Sequence, residues 1–192
     1  GKLQEAELSF RKAIEINPDY ADAHYNLGII LKDHGKLKEA ELSYRKAIEV
    51  KSDYAEAHYN LGNIFKDLGQ LQEAELSQRK AIELNPDYAE AHSNLGIILR
   101  DLGKLKEAEL STRKAIEIKP NLANAHFNLG NILRNLGKLK EAELSYRKTI
   151  EINPDYAEAH SNLGSMLRDL GKLKEAEVST RKAIQINPNF AD

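Results

Sequence analysis

The chain has no cysteine and no tryptophan, and only one methionine and five prolines in 192 residues. Without cysteine there can be no disulfide framework and no thiolate metal site. No Asn-x-Ser/Thr sequence occurs, so there is no acceptor for N-glycosylation. No apolar run approaches the roughly 20 residues needed to span a bilayer, and no stretch resembles a signal peptide. A cytoplasmic setting without a membrane partner is therefore expected. Charge of one sign is also lacking: 28 basic against 30 acidic residues leave a net charge of -2. Neutralising a phosphate backbone takes a basic surplus, so nucleic acid is not the expected partner.

What the chain has is self-similarity. Shifting it by 34 residues aligns Asn26, Asn60, Asn94, Asn128 and Asn162, each followed by Leu-Gly, and a second glycine column runs through Gly35, Gly69, Gly103, Gly137 and Gly171. A fixed period of this length signals stacked repeats. Residues 1–20 form a partial unit, 21–54, 55–88, 89–122, 123–156 and 157–190 are full units, and 191–192 begin another.

Within 89–122, apolar or small residues at Ala91, Leu95, Ile98 and Leu102, flanked by Gly96 and Leu99, fall at helical spacing and predict a first helix with a wide buried face. Asp87 is expected to cap it, with Glu90 completing a capping-box-like pair, and Gly103 to stop it. A second helix is predicted from Leu105 to Ile118, with Leu105, Ala108, Ala115 and Ile116 inward and Pro120 preventing continuation. The short turn makes the two helices antiparallel, and one hairpin cannot cover both of its apolar sides, so the units must stack. Ala91, Gly96, Ala108 and Ala115 are small enough for close helix packing. Ser52, standing where other units have Pro18, Pro86, Pro120, Pro154 and Pro188, predicts a looser joint.

These columns (Asn94-Leu95-Gly96, Leu99, Gly103, Ala108, Ala115 and Pro120) resemble the tetratricopeptide repeat over the whole chain. The resemblance implies an all-α, right-handed superhelical solenoid of antiparallel helix hairpins, with first helices lining a concave face that binds proteins or peptides. The AHSNL and AHYNL wording is most similar to the repeats of O-linked N-acetylglucosamine transferases and of related bacterial and archaeal proteins of the family; in the transferases, asparagines hold the substrate backbone. The matching residues are Asn26, Asn60, Asn94, Asn128 and Asn162. The chain is thus expected to be a non-catalytic protein- or peptide-binding scaffold, with the alternative of a substrate-recruiting arm of a larger enzyme such as a glycosyltransferase.

The residues themselves point to the same face. Asn124, Asn128, Asn131 and Asn135 line up along one helix, and amides donate and accept at once, which suits an extended backbone. Asn26, Asn60, Asn63, Asn94, Asn128, Asn131 and Asn162 are the candidate peptide-binding residues. The columns Tyr25, Tyr59, Ser93, Phe127, Ser161 and Ile29, Asn63, Ile97, Asn131, Ser165 vary while the scaffold columns stay fixed, as a binding wall would. Direct packing of Tyr25 on Tyr44 and of Phe127 on Tyr146 is a further expectation.

Other constellations carry less. Histidines 24, 58, 92, 126 and 160 sit on successive first helices at about 8–10 Å, too far apart to share a metal, and are read as packing residues bonded to backbone. No metal, cofactor or catalytic residue is expected. The basic column Lys32, Lys66, Arg100, Arg134 and Arg168 lies beside Asp33, Asp67, Asp101 and Asp169, which disfavours one-base-per-repeat reading of RNA. Clamping of a chaperone carboxylate tail is disfavoured because Tyr25, Tyr59, Ser93, Phe127 and Ser161 stand where that subfamily needs lysine. Glu109 with Arg113 and Glu143 with Arg147 read as helix-supporting pairs on a solvated face. Self-association is expected through the uncapped last helix, Leu173–Ile186.

Overall fold

A computed structural model describes residues 2–191. Eleven α-helices make up almost all of it, with no strand among the described residues. Two compact units are distinguished, residues 1–102 and 103–192. The first unit contains α1 (Lys2–Ile16), α2 (Ala21–Asp33), α3 (Leu37–Val50), α4 (Ala55–Asp67), α5 (Leu71–Leu84) and α6 (Ala89–Asp101). In it α2 pairs with α3 and α4 with α5 as tight hairpins, and α1 packs on α2, α3 on α4 and α5 on α6. The second unit contains α7 (Leu105–Ile118), α8 (Ala123–Asn135), α9 (Leu139–Ile152), α10 (Ala157–Asp169), α11 (Leu173–Ile186) and a 3₁₀ turn, Pro188–Ala191. Here α8 pairs with α9 and α10 with α11, while α7 packs on α8 and α9 on α10.

The bounds of α7 are those the sequence predicts, and Gly103 adopts φ +76°, ending the preceding helix in a left-handed turn that suits glycine. The predicted small columns are buried: Ala91, Ala108 and Ala115 are fully inaccessible. The first unit's core gathers Leu27, Leu31, Tyr44, Leu61, Ile64, Phe65 and Ile98, and the second's Leu129, Leu133, Tyr146, Leu163, Met166 and Leu167.

The capping expectation is corrected. Tyr88, not Asp87, occupies the cap of α6, and no side chain caps it. The chain enters through an Asx turn, in which the Asp87 amide donates to Asn85 Oδ1 at 3.2 Å, and backbone carbonyls then receive the first helical amides: Asp87 O that of Ala89, Tyr88 O that of His92.

Each histidine of the column is pinned to a carbonyl six residues back. Nε2 lies 2.8 Å from Pro18 O for His24, 3.0 Å from Pro86 O for His92, 2.8 Å from Pro120 O for His126 and 2.9 Å from Pro154 O for His160. At the Ser52 joint the distance is 3.4 Å, and burial lowers the pKa of His58. Lys51 already has the extended backbone that a following proline requires, φ -133° and ψ 92°. Ser52→Pro is therefore expected to stabilise the chain by about 0.4–1 kcal/mol by restricting the unfolded state. A rise of about 1–4 °C in the thermal midpoint would show it; a fall would mean that this joint has a geometry of its own.

The glutamate–arginine pairs of the second helices do more than support one helix. Glu143 accepts from Arg147 on its own helix and from Lys172 at 2.9 Å, while Arg147 reaches Glu175 on the next second helix at 2.6 Å. Glu109, Arg113, Lys138 and Glu141 repeat the pattern within the same unit. The Lys172 ammonium, with Arg147 assisting against burial, holds Glu143 below the usual carboxylate range. That contribution is complete above the unfolded carboxylate pKa of about 4.3 and is lost as pH falls through the lower folded value.

Candidate functional site

Each first helix carries a row of mostly polar residues beside its core face. In α2 this row is Asp22, Asn26, Ile29 and Asp33, spaced 4, 3 and 4, which keeps the four on one face. In α4 it is Glu56, Asn60, Asn63 and Asp67, and in α6 Glu90, Asn94, Ile97 and Asp101. The second unit carries Asn124, Asn128, Asn131 and Asn135 in α8 and Glu158, Asn162, Ser165 and Asp169 in α10.

Within each unit the amides join neighbouring first helices. In the first unit, Asn60 Nδ2 donates to Tyr25 Oη at 3.1 Å, and Asn94 Nδ2 donates to Tyr59 Oη at 3.2 Å and Asn63 Oδ1 at 2.8 Å. Asn26 Nδ2 donates within its own helix, to Asp22 O at 2.8 Å. In the second unit, Asn162 Nδ2 donates to Asn131 Oδ1 at 2.9 Å. Asn63 and Asn131 are also met from the second helix of their own hairpin: Gln78 Nε2 donates to Asn63 Oδ1 at 3.0 Å, and Tyr146 Oη donates to Asn131 Oδ1 at 2.8 Å. Asn63 and Asn128 are buried, at 8% and 7% exposure, whereas Asn26, Asn60, Asn94, Asn131 and Asn162 are half-buried.

The amides thus divide by what they leave unspent. Among the described residues, Oδ1 of Asn26, Asn60, Asn94 and Asn162 accepts no hydrogen bond, while Asn63 and Asn131 commit Oδ1 and keep Nδ2. Acceptors and donors therefore share the row, as a polypeptide backbone requires.

Aromatic pairs border the row. Tyr25 lies on Tyr54 with ring centroids 4.8 Å apart, and Tyr59 on Tyr88 at 4.8 Å; in the second unit Phe127 lies on Tyr156 at 4.9 Å. The expected packing across a hairpin is present, Tyr25 to Tyr44 at 5.9 Å and Phe127 to Tyr146 at 6.1 Å. The sequence reading missed the first set, although a tyrosine closing the units at 54, 88 and 156 was a visible signal. It also missed an exposed apolar column on the second helices: Leu42, Leu76, Leu110, Leu144 and Val178 are each 67–70% exposed. In the first unit Leu76 walls a cleft of about 490 Å³ with Ile48, Leu61 and Phe65.

The basic column is largely engaged by its neighbours. Arg100 Nη2 meets Asp101 at 2.7 Å, Lys66 meets Asp67 at 3.8 Å, and in the second unit Arg134 and Arg168 meet Asp169 at 3.5 and 3.8 Å. Among the described residues no group of three or more His, Asp or Glu side chains is placed to hold a metal ion, and no helix is long and apolar enough to cross a membrane.

Comparison with known proteins agrees with this architecture. Family models described as TPR repeat match residues 1–35, 30–69, 62–103 and 96–137, and models described as tetratricopeptide repeat match 123–156 and 157–190. Among solved structures, YrrB, described as a TPR protein with an unusual peptide-binding site, is 31% identical over 93% of this chain and 92% of its own, with a TM-score of 0.72. MamA is 25% identical over 86% of this chain and 96% of its own, with a TM-score of 0.74. PilF of Pseudomonas aeruginosa, 22% identical over 98% of this chain and 86% of its own with a TM-score of 0.85, shares the fold. The comparison with curated proteins finds no significant match. By its repeat period, its paired helices and these matches, the chain belongs to the tetratricopeptide repeat family.

Proposed function

We propose that the chain is a cytoplasmic, non-catalytic scaffold that binds an extended polypeptide segment along the amide rows of its first helices. In the first unit Asn26, Asn60 and Asn94 accept backbone N–H groups of the ligand through Oδ1, and Asn63 donates through Nδ2; in the second unit Asn162 and Asn131 take the same roles beside Asn128. The observation that carries the reading is the division of unspent groups, acceptors on one asparagine column and donors on the other. The peptide-binding site named for YrrB supports it by kinship. A finer reading adds that the same rows recruit substrate for a catalytic domain such as a glycosyltransferase, on the similarity of the AHSNL wording.

The test is the triple variant Asn26→Ala, Asn60→Ala, Asn94→Ala, measured for thermal stability and for binding to a library of extended peptides. Each lost ligand hydrogen bond weakens binding by about 0.5–1.5 kcal/mol, so three together cost tenfold or more in affinity. Some stability falls as well, since Asn60 and Asn94 also bond Tyr25, Tyr59 and Asn63. A variant still folded at the assay temperature that binds as tightly as the parent refutes the reading.

A further inference from the structure

We propose that the amide row of the first unit takes a segment in the polyproline II conformation, carrying proline at every third residue and lysine or arginine between. The proposal rests on the peptide-binding reading above and names the ligand class. Its first support is a pair of unspent phenol donors. Tyr25 Oη accepts from Asn60 and Tyr59 Oη accepts from Asn94, yet among the described residues neither hydroxyl proton has an acceptor. A polyproline II backbone makes no internal hydrogen bonds, so its carbonyls are free to accept them.

The second support is period. Asn60 and Asn94 each reach from one first helix to the preceding one, and α4 touches α6 directly, so equivalent residues repeat at the helix-packing distance of about 8–10 Å. Three polyproline II residues advance about 9 Å and complete one turn, which brings every third side chain to the same side and onto successive tyrosines. A β-strand fails this match, because residues i and i+3 point to opposite faces. The rings offer proline an apolar surface, each backed by a second tyrosine, Tyr54 or Tyr88.

The third support is charge. The rows of this unit hold Asp22, Glu56, Glu90, Asp33, Asp67 and Asp101 against Lys32, Lys66 and Arg100, and Lys66 and Arg100 are paired with the adjacent aspartates. The surplus is acidic and suits a basic ligand. In the second unit Phe127 has no hydroxyl, Ser161 has no ring, and Asn124 and Asn135 replace acids. The phenol donors and the acidic surplus are therefore absent there.

The experiment titrates the full chain against three fluorescein-labelled nonapeptides: three Pro-Lys-Ala repeats, the same composition with irregular proline spacing, and three Pro-Glu-Ala repeats. The regular basic peptide is expected to bind about tenfold more tightly than either control. The double variant Tyr25→Phe, Tyr59→Phe should lose about tenfold for that peptide. Phe127 shows that phenylalanine is accommodated at this place, and the thermal midpoint monitors the fold. Equal binding of the three peptides, or unchanged binding by the phenylalanine variant, overturns the proposal. If the regular basic peptide fails while library peptides bind and depend on Asn26, Asn60 and Asn94, the ligand class is wrong and the peptide reading stands. If no extended peptide binds, both fall.

Discussion

Gly130→Ala is expected to destabilise the chain by about 3 kcal/mol, the upper part of the range for overpacked cores. A Cβ built on Gly130 meets Tyr146 Cε1 at 2.6 Å and Cδ1 at 2.8 Å. The tyrosine cannot withdraw. It is fully buried, faces Phe127 at 6.1 Å and bonds Asn131 through its hydroxyl. The helix propensity gained by replacing glycine, about 1 kcal/mol, offsets only part of the clash. Gly28→Ala should behave likewise against Tyr44 at 2.7 Å, whereas Gly62→Ala should cost less, because the nearest atom is the amide end of Gln78. Chemical denaturation of the three variants would establish the order. A double-mutant cycle of Gly130→Ala with Tyr146→Ala should show a cost well below the sum of the single changes. An additive cycle would mean that the ring is not what excludes the methyl group.

The same contact explains what the sequence could and could not reveal. Hairpin bounds and buried columns were legible because each depends on spacing along one helix or turn, and the period because whole units recur every 34 residues: Leu95 and Ile98 repeat on one helical face, and Gly103 marks the turn. The cap of α6 was misread because Asp87, a good capping residue in isolation, donates its own amide to Asn85 two residues earlier and sits too early in the turn. The glutamate clamps were half legible. Glu109 and Arg113 are four apart on one helix, but Lys138, 29 residues away, reaches Glu109 only through the packing of one repeat on the next.

For the site, the asparagine column was plain and its chemistry was not. Whether an amide is spent depends on the residue 15 positions later across the hairpin: Gln78 reaches Asn63 and Tyr146 reaches Asn131. The phenol donors of Tyr25 and Tyr59 depend in turn on the next repeat, which supplies Asn60 and Asn94. Tyr44 illustrates the coupling from the other side. Its partner column holds Ile29 in place of an asparagine, and its hydroxyl is left buried with no hydrogen-bond partner.

Asn63→Leu and Tyr44→Phe should therefore move stability in opposite directions, although both remove a polar group from the first unit. Asn63 Oδ1 receives Gln78 Nε2 at 3.0 Å and Asn94 Nδ2 at 2.8 Å, at a place only 8% exposed. Leucine removes the one oxygen that accepts both bonds. Gln78 is fully buried, its Oε1 already lacks a partner, and only the bond from Nε2 to Tyr59 O at 3.1 Å remains to it. Two lost bonds and a partly orphaned amide cost about 2–3 kcal/mol after the gain from burying leucine. Tyr44→Phe deletes a hydroxyl that costs desolvation and gains no bond, and burial raises the pKa of that phenol, the sign of the same penalty. Removing it should stabilise the chain by about 1 kcal/mol. Urea denaturation of the two variants decides the matter. A loss of stability in Tyr44→Phe would show that an ordered water satisfies the hydroxyl, and a neutral Asn63→Leu would show that Asn94 and Gln78 hold the first unit together without the amide between them.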